Sequence, residues 1–303
     1  MIVYDDLRPV PLFKPYFEAC GEHHANHFRN VLALLIFRSR LRRWFSVNDL
    51  FEWPDFSPDD NTLIVFDTHT GLHYLHWLEA AFPEKRIILW HWNPVMVPGL
   101  ITKTTDRVEK WTYSRKDAEK WGMRLNTQFF FDCFAHEAAE YAAMPPAHPP
   151  RALFIGRNKG RAKQLEELKT KLESAGAICD FRIIPPPKIN YLASLREKLI
   201  PYREVIDAVE QSSIIIDLYA DPTGGLSLRA LEALFFCRKL ITNRSLMRDE
   251  DFYDRRNIYI LGEDDRTLQT FLAEPIAAPN PEIRNKYLFS NWLKRFQIEE
   301  SRK

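Results

Sequence analysis

The stretch from Ser213 to Asn243 reads strand, glycine loop, helix, strand, and no other segment limits the possible folds as tightly. Ile214, Ile215 and Ile216 run into Asp217 without a polar break, a pattern suited to a parallel strand covered on both faces. A polar loop, Asp221-Pro222-Thr223-Gly224-Gly225, follows. From Leu226 to Phe236 apolar residues recur at helical spacing, with Ser227 and Glu232 among them, and Lys239 to Thr242 reads as the next strand. The chain is therefore expected to be α/β. Glycines just before a helix let a ligand approach N–H groups that the helix leaves unbonded, and their partial positive charge favours phosphate. Any strand-to-helix turn also needs small residues, so a ligand site and a plain turn both stay open.

The chain's 303 residues exceed the usual size of a single core, so two domains are expected. Met144 to Pro150 holds four prolines in seven residues and can continue neither a helix nor a central strand. It is the expected boundary, with a first domain over residues 1–146 and a second over 151–280. Strands are expected at Ile2 to Tyr4, Leu63 to Phe66 and Arg86 to Trp90, with a helix over Leu72 to Ala81. The second half opens on a strand at Ala152 to Ile155, a loop at Gly156 to Gly160 and an amphipathic helix over Arg161 to Ser174. A strand at Asp180 to Ile184 and a helix at Tyr202 to Glu210 precede the unit described first. Residues 281–303 form a final helical segment, with Tyr287, Leu288, Trp292 and Phe296 on one face over Glu282 to Arg295. This segment either closes the second domain or packs back on the first.

A formal charge of +1 argues against a strongly basic nucleic-acid binder. Cys20, Cys133, Cys179 and Cys237 stand far apart, which suggests neither a disulfide framework nor a zinc knuckle and fits reduced thiols. The longest apolar run, Val31 to Phe37, is far shorter than the ~20 residues a membrane span needs. Asp5 and Asp6 interrupt the amino terminus where a signal peptide would be apolar, so a cytoplasmic protein is expected. No G-x-G-x-x-G follows a strand and no G-x-x-x-x-G-K-[ST] occurs, which disfavours a dehydrogenase and a P-loop enzyme.

Arg157, Lys159 and Arg161 crowd a strand end beside Gly156 and Gly160, placing cations next to open N–H groups as a diphosphate requires. A solvated charged surface is the plainer alternative. In the first half, Asp67 ends the strand LIVFD and His69 follows in the next loop, while His91 and Asn93 close the neighbouring strand. These are the positions from which open parallel sheets reach ligands. Asp67 would otherwise cap the helix beginning near Gly71. His69, His73 and His76 lack a carboxylate or cysteine to complete a metal site, so no metal is expected. His23, His24 and His27 lie in a polar stretch that faces solvent or an acceptor. Arg38, Arg40, Arg42 and Arg43 with Trp44 and Phe45 form a basic aromatic cluster, suited to anionic lipid or to a charged helix end.

Three motifs carry a family resemblance. Phe154-Ile155-Gly156-Arg157-Asn158-Lys159-Gly160-Arg161, Pro201-Tyr202-Arg203-Glu204-Val205, and Gly225-Leu226-Ser227-Leu228-Arg229-Ala230-Leu231-Glu232-Ala233-Leu234 followed by Lys239-Leu240-Ile241-Thr242-Asn243 resemble the GT-B glycosyltransferases of bacterial capsule and lipopolysaccharide synthesis. Trp90-His91-Trp92-Asn93-Pro94 is similar to a strand-end motif of the same group, and galactofuranosyltransferase-like members resemble the chain most. The resemblance covers most of residues 60 to 245. It implies two Rossmann-like parallel-sheet domains facing a cleft, and a nucleoside diphosphate sugar, UDP-linked and potentially UDP-galactofuranose, held by the second. Gly156, Arg157, Lys159, Arg161, Tyr202, Gly224, Gly225, Leu226 and Ser227 would then surround the donor, and Glu232 would accept from ribose hydroxyls. The base would lie near Ile184 to Lys188 or Tyr202.

Retaining enzymes of this fold often carry Glu-x7-Glu, but the position eight before Glu232 is Gly224. An inverting displacement is thus implied, without metal or other cofactor, in which Asp67, His69 or, less directly, Asp6 deprotonates an acceptor held near His91 and Asn93. The implied acceptor is a lipid-linked glycan of the cell envelope. A nucleotide-sugar epimerase of the same architecture and a non-catalytic nucleotide-sugar-binding module remain as alternatives.

Overall fold

The computed structural model describes residues 1–3, 13–20, 24–26, 28–53, 61–67, 71–95, 98–144, 148–184, 200–222 and 224–297. The chain forms two compact units, Met1–Thr127 and Gln128–Lys303. The division thus falls upstream of the proline-rich segment at 144–150, which instead links two parts of the second unit. Aromatic packing explains this placement: Phe130 stacks on Phe235 at 4.2 Å and Phe129 meets Trp292 at 4.7 Å.

The first unit comprises β1 (Ile2–Val3), α1 (Lys14–Ala19), β2 (His24–Ala25), α2 (Val31–Arg38), a 3₁₀ turn (Arg40–Trp44), α3 (Val47–Leu50), β3 (Thr62–Phe66) and α4 (Leu72–Ala81). It continues with β4 (Arg86–His91), α5 (Gly99–Thr102), β5 (Val108–Thr112), α6 (Arg115–Trp121) and β6 (Arg124–Leu125). All strand pairs are parallel, in the order β2-β1-β3-β4-β5-β6. Leu63 to Phe66 and Ile87 to His91 are buried on both faces, as an all-parallel sheet covered by helices requires.

The second unit opens with a 3₁₀ turn (Asp132–Phe134) and α7 (Ala135–Ala142). There follow β7 (Arg151–Arg157), α8 (Ala162–Ser174), β8 (Ile178–Ile184), α9 (Tyr202–Glu210), β9 (Ile214–Asp217), α10 (Leu228–Phe235) and β10 (Lys239–Thr242). A 3₁₀ turn (Ser245–Asp249), β11 (Ile258–Ile260), α11 (Leu268–Ala273), α12 (Pro281–Lys286) and α13 (Phe289–Gln297) complete it. Its sheet is also parallel, ordered β11-β10-β9-β7-β8. Strand β9 sits at its centre, and its Ile214 and Ile216 pack with Leu165, Leu168 and Leu172 of α8. Each such side chain contributes roughly 1.5–3 kcal/mol through burial.

The carboxy-terminal helical segment is two helices rather than one. Phe130 donates its N–H to Tyr287 O at 2.7 Å and accepts from Phe289 N at 2.9 Å, so the chain between α12 and α13 is drawn into a β-bridge. Beyond this break, Trp292 is fully buried against Phe129, Phe289 and Phe296. Ser290 is fixed to Asp132 through both its N–H and its hydroxyl. Both helices therefore close the second unit on its own opening residues.

Candidate functional site

In the second unit, the carboxyl ends of β7, β9 and β10 converge on one buried carboxylate. Asp217, fully buried at the end of β9, accepts from Ser227 Oγ at 2.7 Å and from Arg229 Nε at 2.9 Å. Ser227 is also the N-cap of α10, and its hydroxyl oxygen accepts from Ala230 N at 3.4 Å. Its own N–H donates to Tyr219 Oη at 3.0 Å. Asn243, following β10, accepts from Tyr219 N at 2.7 Å and donates to Tyr219 O at 3.0 Å. Arg244 donates to Gly224 O at 2.9 Å and pairs with Glu250 at 2.9 Å. The glycine loop is thus held in place by β9 and β10.

The loop after β7 meets this arrangement directly. Arg229 Nη1 donates to Ile155 O at 3.2 Å, and Arg161 donates from Nη1 to Leu218 O, which fastens the two strand ends together. Gly156 is needed at that contact, because a Cβ there would stand 3.0 Å from Arg229 Nη1 and 3.4 Å from the Phe154 ring. Lys159 and Gly160 both take positive φ, 45° and 81°, which lets the chain turn sharply into α8. Arg161 and Arg229 lie over the Phe154 ring at 5.3 and 5.5 Å.

The result is a crowd of cations around one acid. The Lys159 ammonium is held below the usual lysine range, first by withdrawal from water and then by the guanidiniums of Arg161, Arg229 and Arg157. Arg161 is lowered as well, by burial and then by Arg229. Burial also works against the charge of Arg229, but Asp217 outweighs it and raises the group. Asp217 offsets the charge of Arg161 and Arg229, with Glu232 adding to it at Arg229, whereas Lys159 meets only the repulsion of Arg161, Arg229 and Arg157, which an entering anion would relieve. The first turn of α10 adds its dipole at the same place.

The structure gives some expected donor residues other work. Arg161, 5% exposed, spends its guanidinium on the main-chain carbonyls of Asn158, Arg157 and Leu218, so it shapes the loop rather than offering itself to a ligand. The Ser227 hydroxyl is engaged by Asp217 and by its capping bond. Leu226 is buried, and Tyr202 packs its ring against Phe131 and Phe134. Glu232 is 3% exposed within α10, and its pKa is pushed up to about 7 by burial, against the pull of Arg229 and the Tyr202 hydroxyl. Arg157, Lys159, Gly156 and Gly224 remain around the strand ends, and Gly225 is buried in the loop. Asp217 and Arg229 were not anticipated as site residues; a polar residue ending an all-apolar strand, followed by an arginine early in the next helix, is the signal for them. Of the stretch from Ile184 to Lys188, only Ile184 lies within the described residues.

The first unit has its own polar strand ends. Asp67 Oδ1 accepts from Trp92 N at 3.1 Å and from Asn93 Nδ2 at 3.5 Å, and Oδ2 stands 3.6 Å from His91 Nδ1. Asp67 thus ties the end of β3 to the end of β4. It does not cap α4, whose N-cap is Gly71 without a side-chain bond. His91 is 2% exposed, and neither ring nitrogen makes a hydrogen bond among the described residues. Asn93 is exposed. His69, Asp6, His23 and His27 lie outside the described residues. His76 approaches Lys103 O at 3.4 Å and His73 packs on Phe37, so each has a local contact of its own.

No protein-family model and no curated protein sequence matches the chain. Among solved structures, apo OtsA aligns over 95% of this chain and 77% of that one, at 12% identity and a TM-score of 0.48. The N-terminal domain of Candida albicans trehalose-6-phosphate phosphatase aligns over 81% of this chain and 70% of that one, at 10% identity and a TM-score of 0.47.

Proposed function

We propose that the second unit binds the diphosphate of a nucleoside diphosphate sugar and that the chain is an inverting glycosyltransferase of the GT-B type. The observation that carries this is the grouping of Arg157, Lys159, Arg161 and Arg229 at the ends of β7 and β9, with Asp217 bonded to Arg229 beside the start of α10. In this reading Arg157 and Lys159 would meet the phosphate oxygens, while Arg161 and Arg229 set the loop and supply background charge. Such a cluster stabilises the charge that grows on a departing diphosphate, and does so most strongly where water is displaced.

In the proposed reaction Asp67, oriented by the Trp92 N–H and the Asn93 amide, takes the proton of an acceptor hydroxyl. The freed oxygen forms a bond to the anomeric carbon as the bond from that carbon to the diphosphate breaks, which inverts the configuration. A UDP-sugar is the proposed donor, UDP-galactofuranose the specific candidate, and a lipid-linked envelope glycan the acceptor; the motif resemblance supports these choices.

Incubation with a panel of nucleotide sugars, with and without envelope glycans, tests the proposal. The expected result is release of nucleoside diphosphate only when an acceptor is present, abolished by Asp67→Asn with donor affinity kept. Conversion of the donor without acceptor would indicate an epimerase instead. Donor binding without turnover on any envelope glycan would indicate a binding module.

A further inference from the structure

Among the described residues eleven large hydrophobic side chains are exposed, and six of them fall between residues 32 and 53 of the first unit: Leu32, Leu41, Trp44, Phe45, Val47 and Trp53. Every residue from Arg40 to Asp49 is exposed, ten in a row, and Trp44 reaches 73%. Isolated exposed apolar residues are ordinary, but a run this dense marks a surface that meets something.

The run is built, not frayed. The Ser39 hydroxyl donates to Ile36 O at 2.9 Å and accepts from Leu41 N at 3.0 Å, which ends α2 and starts the 3₁₀ turn in one step. Ser46 and Asp49 form a reciprocal capping box at the start of α3. Beneath, Phe51 packs on Phe28, Phe37, Tyr74 and Trp77 at 5.0–5.5 Å. The segment is thus anchored on one side by an aromatic core and presents Trp44 and its neighbours on the other.

Its charge identifies the partner. Arg38, Arg40, Arg42 and Arg43 are all exposed within the same stretch, and Arg43 lies over the Trp44 ring at 5.4 Å. The exposed acid among them, Asp49, is occupied by the capping box. Apolar and indole side chains interleaved with arginines match an interface with acyl chains below and anionic headgroups above. No described helix is long and apolar enough to cross a membrane, so the contact would be lateral.

We propose that residues 32–53 dock the first unit onto an anionic lipid surface, with Trp44, Leu41 and Phe45 entering the headgroup region and the arginines pairing with lipid phosphates. This proposal stands independently of the donor assignment in the second unit.

Co-sedimentation with vesicles of phosphatidylcholine containing phosphatidylglycerol, compared with pure phosphatidylcholine, tests it on the full chain. The expected result is binding to the anionic vesicles only, weakened by added salt. Each arginine near such a surface multiplies partitioning roughly fivefold, so Arg42→Ala with Arg43→Ala should reduce it about 25-fold. Trp44→Ala should reduce it by a further order of magnitude, with unchanged far-UV circular dichroism and unchanged nucleoside diphosphate binding. Absence of binding to anionic vesicles, or equal binding by wild type and the variants, would overturn the proposal. So would wild-type self-association that Trp44→Ala abolishes, because a second copy would then be covering the patch.

Discussion

Replacing Glu232 by glutamine isolates what it costs to keep a carboxyl inside the packed face of α10. The residue is 3% exposed, and its pKa rises from 4.5 to about 7, first through burial, with Arg229 and the Tyr202 hydroxyl opposing and Asp217 reinforcing. A raised value means that the folded protein holds the proton more tightly than the unfolded chain does. The resulting stability is complete below about pH 4.5 and is lost as pH rises through about 7. The shift corresponds to about 3 kcal/mol when converted at 1.36 kcal/mol per unit. Glutamine has nearly the same shape and never ionises, so the variant should match wild type at about pH 4 and exceed it by up to about 3 kcal/mol at about pH 8. Hydrogen exchange of peptides spanning Leu228–Phe235, corrected for the intrinsic effect of pH, reads this locally. The ratio of protection factors should grow about a hundredfold across that range. A ratio that stays constant with pH would refute the burial account of Glu232.

Gly156→Ala should leave the fold intact at a cost of about 1–3 kcal/mol, because the new Cβ stands 3.0 Å from an Arg229 Nη1 that Asp217 and Ile155 O hold in place, and lower nucleoside diphosphate affinity about tenfold by calorimetric titration. Arg203→Ala should destabilise the second unit by about 2 kcal/mol in urea unfolding, since Arg203 bonds Glu137, Asp207 and Glu210 at 2.5–2.8 Å and its loss leaves the carboxylates facing one another. Trp292→Ala should cost about 3–5 kcal/mol in scanning calorimetry, because the side chain is fully buried among Phe129, Phe289 and Phe296.

How much of this was legible in the letters depended on where the information sat. The Ile214 to Ile216 run, the Leu72–Ala81 helix, Tyr202–Glu210 and the Lys239–Thr242 strand were readable because each expresses a local period or a continuous apolar run. Strand β5, VEKWT, was not, because its two charged residues hide the apolar signal; Glu109 is held in place by Arg86 and Arg124 from neighbouring positions. The break at Tyr287 and Leu288 was equally hidden, since it comes from a bridge to Phe130 far along the chain. At the strand ends of the second unit, the letters pointed to Arg157, Lys159, Arg161 and the glycines but not to Arg229 or Asp217, nor to which side chains bond the main chain. That Arg161 turns inward to main-chain carbonyls while Arg229 joins Asp217 depends on the approach of β7 to β9, a tertiary fact.

The central claim is that the strand ends of the second unit hold a diphosphate. Isothermal titration of uridine, guanosine, adenosine and cytidine diphosphates into wild type, Arg157→Ala and Arg229→Gln tests it most directly. Loss of the one charge-assisted contact from Arg157 is worth roughly 1.5–3 kcal/mol, so at least one nucleotide should bind wild type and lose about 10- to 100-fold in affinity in Arg157→Ala, and Arg229→Gln, which removes background charge and unpairs Asp217, should weaken binding as well, with wild-type binding itself falling at high salt. If none of the four binds, or if Arg157→Ala and Arg229→Gln both bind as wild type does, the cation cluster is not a diphosphate site.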